Sequence, residues 1–183
     1  MKEIDSDIIS QCQRGDKTAF RYVVQTYQQR VFSLALKMIA SEEDAKDIVQ
    51  ETFIRVWQNI TGYDDRRPFF TWLYTIASRL CLDHLKSSHV KKSVASDEEV
   101  FRRYASDSNS QRMLENSEWV SIVKLLAEGL SEKQRLVFTL CQLEGLTSQE
   151  TEEITGMSPS QVKSNLYVAR QIIRKKMKEL GYE

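Results

Sequence analysis

Two helix-start signals close together near the C-terminus constrain the fold of this chain more than any other feature. Residues Thr147–Glu150 form a capping box, in which a threonine and a glutamate three positions later each satisfy a backbone N–H of the other. Ser158–Gln161 repeats this pattern, with proline at the first helical position, where its missing N–H costs nothing. Gly156 lies between the two signals. Together they predict two helices joined by a short turn, which is a helix-turn-helix.

The second helix of this pair is basic. Between Ser160 and Leu180 there are six Lys or Arg residues against one glutamate. With the apolar positions placed inward, the outward face begins with short polar residues, which allow entry into the DNA major groove, and it carries cations that suit phosphates. The residues predicted to contact DNA are Ser160, Lys163, Ser164, Tyr167, Arg170 and Arg174. The lysines of the last turn are explained equally well as a solvated helix end favoured by the helix dipole.

The chain as a whole has no excess of positive charge. Its 183 residues include 26 Lys or Arg and 26 Asp or Glu, so the formal net charge is zero. Nonspecific affinity for duplex DNA rises with the number of phosphates that a protein neutralises, so one basic helix should hold DNA weakly. Either another factor brings this chain to its site, or the chain reads a feature other than plain duplex.

Periodicity predicts an all-helical chain with two small helical domains joined by a flexible linker. Strand-like alternation is absent, and glycines and prolines lie where helical patterns stop. Amphipathic helices account for an N-terminal domain, residues 1–90, in which Ser41 caps the second of three helices. Residues 91–113 are rich in serine and charge, which is typical of a linker. The C-terminal domain, 114–183, ends in the helix-turn-helix.

Three further helices are predicted from start signals and apolar stripes. The third N-terminal helix should run from Phe69 to Lys86, with Trp72, Ile76 and Leu80 facing inward. A helix is expected around residues 119–126, and a capping box at Ser131–Gln134 opens another that should continue through Gln142.

Composition and motif content exclude several classes of protein. The three cysteines are scattered, which argues against a disulfide framework and for the cytoplasm. No apolar run approaches the ~18 residues that a membrane span requires, so no membrane insertion is expected. Phosphate loops and nucleophile–base pairs are absent, and Cys81, His84 and His89 lack a fourth metal ligand. We therefore expect no catalytic residues, no metal and no cofactor.

The second N-terminal helix has an unusual polar face. Asp47, Gln50 and Glu51 share the side opposite the apolar stripe, Ile54 falls among them, and Trp57 lies at the edge. An ordinary surface helix also exposes one side to solvent, and single exposed apolar residues are normal. The alternative is a protein-binding face, because exposed Ile and Trp beside an acidic cluster are typical of one.

The break at Thr61–Pro68 cannot continue either neighbouring helix, since it contains glycine and proline. Its one tyrosine and two arginines suit single-stranded DNA, with rings against bases and arginine on phosphate. The alternative is an ordinary solvated loop. Phe69 and Trp72, which follow, are better explained as core residues by helical phase.

Several of these segments resemble a known family. Residues 47–57 (DIVQETFIRVW), 69–77 (FFTWLYTIA) and 82–85 (LDHL) are similar to region 2 of bacterial RNA polymerase sigma factors. The helix-turn-helix that follows residues 130–135 (LSEKQR) resembles region 4. With only these two regions, in this order, the chain resembles the ECF (extracytoplasmic function) group. The resemblance covers nearly the whole chain except the linker, and it implies a transcription initiation factor that is not an enzyme.

The resemblance also implies partners. Asp47, Gln50 and Glu51 match the residues that contact the clamp coiled coil of the polymerase largest subunit, and Ile54 lies on the same face. The polymerase flap, promoter DNA and an anti-sigma factor are the further partners that it implies.

For DNA, the resemblance implies that the basic helix reads the −35 element and that the loop captures a base flipped from the −10 element. The predicted −10 contacts are Tyr63, Arg66, Arg67 and Arg79. Primary sigma factors have a pair of tryptophans where this chain has Thr75 and Ile76, so melting should depend on base capture by the loop.

Two other classes of function remain open at this point. The first is a stand-alone helix-turn-helix regulator whose N-terminal domain dimerises or senses a ligand. The second is an interaction protein whose acidic–apolar helix binds a partner other than polymerase. Strong, specific duplex binding by the free protein would favour the first of them.

Overall fold

The computed structural model of the protein describes residues 4–92 and 129–179, and within those ranges every regular element is helical. The helices are α1 Ser6–Gln13, α2 Lys17–Ile39, α3 Glu42–Asn59, α4 Phe69–Lys92, α5 Glu132–Phe138, α6 Ser148–Thr155 and α7 Pro159–Glu179. The all-helical prediction is confirmed. The helix predicted at 119–126 lies outside the described ranges, as does the linker predicted at 91–113 except for its first two residues, which belong to the end of α4.

The helices α1 to α4 form the first unit, and short polar side chains cap the starts of α1, α2 and α3. Asp16 Oδ1 accepts from the Thr18 N–H at 2.7 Å at the start of α2. Ser41 Oγ accepts from the Asp44 N–H at 3.3 Å, which confirms the predicted start of α3. Each cap satisfies a backbone donor that a helix leaves unpaired at its N-terminus.

The buried face of α4 differs from the prediction. Of the three residues expected to face inward, Leu80 is buried, whereas Trp72 and Ile76 are only half-buried. The fully buried side chains of this helix are Phe70, Leu73, Tyr74, Ala77 and Cys81. The reason is that α4 packs against α2 and α3 and also against α6, so its buried arc is wider than one amphipathic stripe.

The helix-turn-helix, α6 and α7, forms as its two capping boxes predict. Thr147 Oγ1 accepts from the Glu150 N–H at 3.2 Å, while the Glu150 carboxylate accepts from the Thr147 N–H at 2.8 Å. Ser158 and Gln161 make the same reciprocal pair. Gly156 ends α6 with φ at +69°, a left-handed conformation that favours glycine.

The helix that opens at Ser131 has its predicted capping box but ends earlier than expected. Regular α-helix stops at Phe138, and the predicted continuation is a π-helical turn, Thr139–Leu143. A π-turn holds one more residue than an α-turn, so it changes the direction of the side chains that follow it, including Glu144.

The helices α5 to α7 form a second unit, which packs directly against the first. The contact is made mainly by α6 against α4, with α5 and the π-helical turn beside it. Leu136, Leu140 and Ile154 are buried in the same apolar cluster as the core of the first unit. Periodicity predicts two domains on a tether and says nothing about this contact, which joins residues about 70 to 110 positions apart.

Candidate docking surface and nucleic-acid interface

The predicted −35 residues lie together on one exposed side of α7. All six are exposed: Ser160, Lys163, Ser164, Tyr167, Arg170 and Arg174. Tyr167 is the most exposed large apolar side chain described, at 64%. The opposite side of α7 packs inward through Val162 and Ala169, which are both buried. The helical phase predicted from the sequence is therefore confirmed.

Two details of α7 were not predicted. Arg170 Nε donates to Gln142 Oε1 at 3.3 Å, so this cation is oriented by the end of the π-helical turn. Val168 is 39% exposed at the border of the same side. An exposed valine there can contact a thymine methyl group, which is a recognised form of base readout. Sequence reasoning passed over it because an apolar residue in a helix is normally assigned to the core.

The loop between α3 and α4 uses its tyrosine for internal support. Tyr63 is half-buried, with ring centroids 5.3 Å from Phe69 and 5.1 Å from Trp72. Its hydroxyl donates to the Arg67 carbonyl. Tyr63 was predicted from its sequence position as a base-contacting residue, but at most one side of its ring remains for a base.

The two arginines of the loop differ in how they are held. Arg66 pairs with Asp64, and its Nε lies 2.6 Å from Oδ2. The hydrogen bonds from the Arg66 side chain and backbone lower the pKa of Asp64 below its usual value. Arg66 is thus paired within the loop, although its side chain is exposed, whereas the exposed Arg67 lines an adjoining cavity.

That cavity, of about 540 Å³, lies between the loop and α1. The loop contributes Asp64, Asp65 and Arg67 to its lining, and α1 contributes Ser6, Ser10 and Gln13. Sequence reasoning assigned no role to α1, which carries no aromatic or basic pattern. The structure therefore adds a second wall, polar except for Ile9, to the predicted −10 site.

Gln13 connects the two walls. Its Nε2 donates to the carbonyl oxygens of Ile60 at 3.1 Å and Tyr63 at 3.0 Å, joining α1 to the 3-10 turn Ile60–Gly62 and the start of the loop. No local sequence signal indicates this bond, because the partners are about 50 positions away.

Replacing Gln13 by alanine should loosen the loop. The Tyr63 carbonyl would lose this donor and the Ile60 carbonyl would keep only the Tyr63 N–H, so the free energy of unfolding should fall by about 1–3 kcal/mol. Urea unfolding measures the change in the free energy of unfolding. Amide hydrogen exchange should accelerate more at residues 63–67 than elsewhere in the chain. The matched control is Gln11→Ala, on the same helix and equally half-buried. Equal losses in both variants would mean that Gln13 does not hold the loop.

Arg79 lies apart from the other predicted −10 residues. It follows Phe69 by ten positions on α4, which is about 15 Å along the helix axis. Its side chain is exposed and lines a cleft of about 390 Å³ between the two units, together with Ser78, Gly156 and Gln161. The structure does not bring Arg79 and the loop together in one site.

The polar face of α3 is exposed as predicted. Asp47 and Gln50 are exposed, and Ile54 keeps 43% of its side-chain surface open. Glu51 pairs with Arg55 at 2.7 Å, one turn further along the helix. Exposed pairs of this kind contribute only about 0.3–0.5 kcal/mol, so Glu51 can exchange this partner for another at little cost.

Beside this face lies a shallow, largely apolar groove of about 530 Å³. It is formed by α2 and α3 together, and its lining includes Phe20, Val24, Val49, Ile54 and Trp57. Phe20 packs against Trp57 with a centroid separation of 4.8 Å, and both rings belong to the groove wall. We call Asp47, Gln50, Glu51, Ile54 and this groove the α3 docking surface. The α2 half was not predicted, because its residues fit the core pattern of that helix.

No helix in the described ranges is long and apolar enough to cross a membrane. Residues 4–92 and 129–179 also contain no group of three His, Cys, Asp or Glu side chains arranged for a metal ion.

Comparison with known proteins matches two family models to the chain. Residues 23–89 match the family model for sigma-70 region 2, and residues 122–173 match that for sigma-70 region 4. The chain is 31% identical over 183 residues to the ECF RNA polymerase sigma-E factor of Escherichia coli K12, covering 96% of this chain and 95% of that protein. It is 28% identical over 179 residues to the ECF sigma factor SigW of Bacillus subtilis, covering 94% and 96%.

Among solved structures, CnrH in complex with the cytosolic domain of CnrY is similar with a TM-score of 0.71 and 22% identity, covering 96% of this chain and 97% of that one. RpoE from Bartonella quintana, in complex with the anti-sigma factor NepR, gives a TM-score of 0.67 at 17% identity, covering 87% and 96%. These two support the fold. On the sequence matches, the chain belongs to the ECF group of sigma-70 factors, non-catalytic proteins that direct RNA polymerase to promoters.

Proposed function

We propose that three separate surfaces of this sigma factor divide the work of promoter recognition. The α3 docking surface binds the clamp coiled coil of the polymerase largest subunit, α7 reads the −35 element, and the loop between α3 and α4 captures a −10 base. The observation that carries this proposal is the groove beside Ile54, since it gives the acidic face of α3 an apolar anchor site.

The docking surface has the composition of a protein interface. Its centre is apolar and aromatic, around Phe20, Ile54 and Trp57, and its border is acidic and amide, with Asp47 and Gln50. Interfaces of this kind take most of their affinity from buried anchors, while the polar rim sets orientation. Asp47, Gln50 and Glu51 therefore fix the angle of the partner helix, and Ile54 supplies affinity.

For −35 recognition, the support comes from the exposed side of α7. Its first turns present Ser160 and Ser164, whose short side chains permit close approach to base edges. Lys163, Arg170 and Arg174 flank them and suit phosphates. Binding by these few cations is weak alone, so polymerase supplies the remaining affinity.

For −10 recognition, the support comes from the cavity between the loop and α1. A flipped base needs a pocket with polar groups that meet its Watson–Crick edge, and this cavity offers hydroxyl, amide and carboxylate groups. Arg67 at its rim suits the adjoining phosphate, while Arg66 orders the loop through Asp64. Arg79 would serve a DNA segment further along α4.

Two partners and a location complete the proposal. The second unit, within residues 114–183, would meet the polymerase flap. An anti-sigma factor would hold the chain inactive, as the complexes of CnrH with CnrY and of RpoE with NepR suggest by analogy. The chain would act in the cytoplasm, where polymerase is found. Residues 1–90 would form region 2, and residues 91–113 would form the linker.

A selection experiment with and without core polymerase tests the proposal. A duplex library randomised over the promoter region is incubated with the free chain, with core polymerase, and with both. Only the mixture should enrich a pair of motifs, because the free chain should bind duplex no tighter than nonspecific affinity, about 10⁻⁴–10⁻⁶ M at physiological salt. Enrichment of one specific site by the free chain alone would instead support the stand-alone regulator.

A further inference from the structure

The cleft between the two helical units has room for a small organic molecule. Its volume of about 390 Å³ falls within the range of about 300–1,000 Å³ that is usual for ligand sites. Helix α4 lines it with Ser78, Arg79 and Leu82, and α5 lines it with Lys133. The turn after α6 and the first turns of α7 complete the lining. Of these residues, Arg79 alone belongs to the surfaces proposed for DNA.

One buried hydroxyl in the lining of the cleft lacks a hydrogen-bond partner. Ser78 is 2% exposed, and its Oγ makes no hydrogen bond with any residue that the structure describes. Three positions earlier on α4, Thr75 Oγ1 donates to the Thr71 carbonyl at 2.8 Å, the usual way in which a helix satisfies a hydroxyl. A buried polar group without a partner is costly. Since Ser78 lines the cleft, a ligand bound there can satisfy its hydroxyl.

The charge of the cleft is positive. Arg79 and Lys133 lie on separate units, and both side chains are exposed. None of the described residues that line the cleft is acidic, and neither cation forms an ion pair with a described carboxylate. Two cations on different helices, without a competing carboxylate, suit a phosphate group, because its oxygens accept several charge-assisted hydrogen bonds at once.

Two amide side chains of α7 each leave one polar atom available to the cleft. Gln161 Oε1 accepts from the Ser158 N–H at 2.9 Å, so Gln161 Nε2 is a donor that no described residue uses. Asn165 Nδ2 donates to the Gln161 carbonyl at 2.8 Å, so Asn165 Oδ1 is an acceptor that no described residue uses. A donor beside an acceptor complements the edge of a nucleobase such as adenine. Leu82 and Met157 provide apolar surface for the face of a base.

We propose that this cleft binds a free mononucleotide. Its phosphate lies between Arg79 and Lys133, its base edge meets Gln161 and Asn165, and the Ser78 hydroxyl donates to the bound molecule. The cleft is separate from the α3 docking surface, and Gln161 and Asn165 are not among the residues proposed to read the −35 element. The inference therefore goes beyond the proposed function, and the binding itself does not depend on polymerase.

Isothermal titration calorimetry of the full chain with AMP, GMP, CMP and UMP tests the site. At least one of the four should bind saturably, at one molecule per chain. The corresponding nucleoside and inorganic phosphate should each bind at least about tenfold more weakly, because each lacks the contacts of the other half. Absence of saturable binding by all four nucleotides would overturn the proposal.

Three variants locate the bound nucleotide. Ser78→Ala and Lys133→Gln each remove one donor from the cleft, and each should weaken binding by about tenfold. Lys86→Gln removes an exposed cation of α4 outside the cleft, and it should leave binding unchanged. The thermal unfolding temperature of ligand-free Ser78→Ala should match that of the wild type, because the Ser78 hydroxyl has no hydrogen bond to lose. Unchanged affinity in both cleft variants would place the nucleotide elsewhere and refute the site.

A competition experiment distinguishes a free nucleotide from a nucleotide within DNA, since both carry a base and a phosphate. A short single-stranded oligonucleotide of mixed sequence is added to the chain with its mononucleotide bound. At equal nucleotide concentration it should not displace the mononucleotide. Displacement would assign the cleft to a DNA strand and contradict the proposal. Failure of the chain to bind core polymerase would refute the proposed function and would leave nucleotide binding in the cleft unaffected.

Discussion

Replacing Ile54 by arginine should weaken core polymerase binding by about 30-fold or more. A central apolar anchor typically contributes about 2 kcal/mol or more to an interface, and about 1.4 kcal/mol is tenfold. The guanidinium would in addition stand beside Lys17 and Lys46 at the edge of the groove. Fluorescence anisotropy with labelled chain and purified core measures the affinity. Unfolding free energy should change little, because the position is already 43% exposed.

The matched control is Tyr22→Arg. Tyr22 is 44% exposed on α2, close to the exposure of Ile54, but it does not line the groove. The control separates loss of a specific contact from the general effect of replacing an exposed apolar side chain by a cation. Equal affinities for both variants and the wild type would refute the α3 docking surface.

Replacing Ser164 by glutamate should abolish recognition of the −35 element while leaving core binding intact. Ser164 lies exposed in the second turn of α7, where a carboxylate would meet the acceptor-rich groove and the phosphates. Disruption of one base contact costs about 1–3 kcal/mol, and a like charge adds to it, so promoter binding by the holoenzyme should fall at least about tenfold. Transcription in vitro from the selected promoter provides the measurement.

The control for charge is Gln25→Glu, an exposed position on α2 that also gains one negative charge. It should leave promoter binding unchanged. If both variants lose promoter binding equally, the effect reflects net charge and α7 is not the reading helix. If neither loses it, the assignment of α7 is wrong.

The starts of α3, α5, α6 and α7 could be predicted because the interactions that place them are local. The capping boxes at Thr147 and Ser131 join residues three positions apart. The types and spacing of these residues are therefore enough to predict their hydrogen bonds. The exposed side of α7 was also predictable, since a helix on a surface repeats every 3.6 residues. The same reasoning placed the polar face of α3.

The candidate sites were less predictable where one side chain had two possible partners. Tyr63 fits both a base and a neighbouring ring, and in the structure its ring packs against Phe69 and Trp72. Arg66 fits both a phosphate and a carboxylate, and it pairs with Asp64 two positions away. Residue type alone does not distinguish these uses. The contacts of Gln13 and the α2 half of the groove gave no local signal at all.

Local periodicity and capping therefore account for most of the helices and their exposed faces, whereas the family follows from the resemblance of motifs such as residues 47–57 and 130–135. The packing of α6 on α4, the shared core and the contacts of the Glu144 carboxylate with Lys37 and Tyr74 depend on tertiary structure. Glu144 and Lys37 are 107 positions apart, and in the sequence each is typical of an exposed charged residue. Their pairing arises because chain folding removes both from water at once, and a buried carboxylate is stable only where donors meet it.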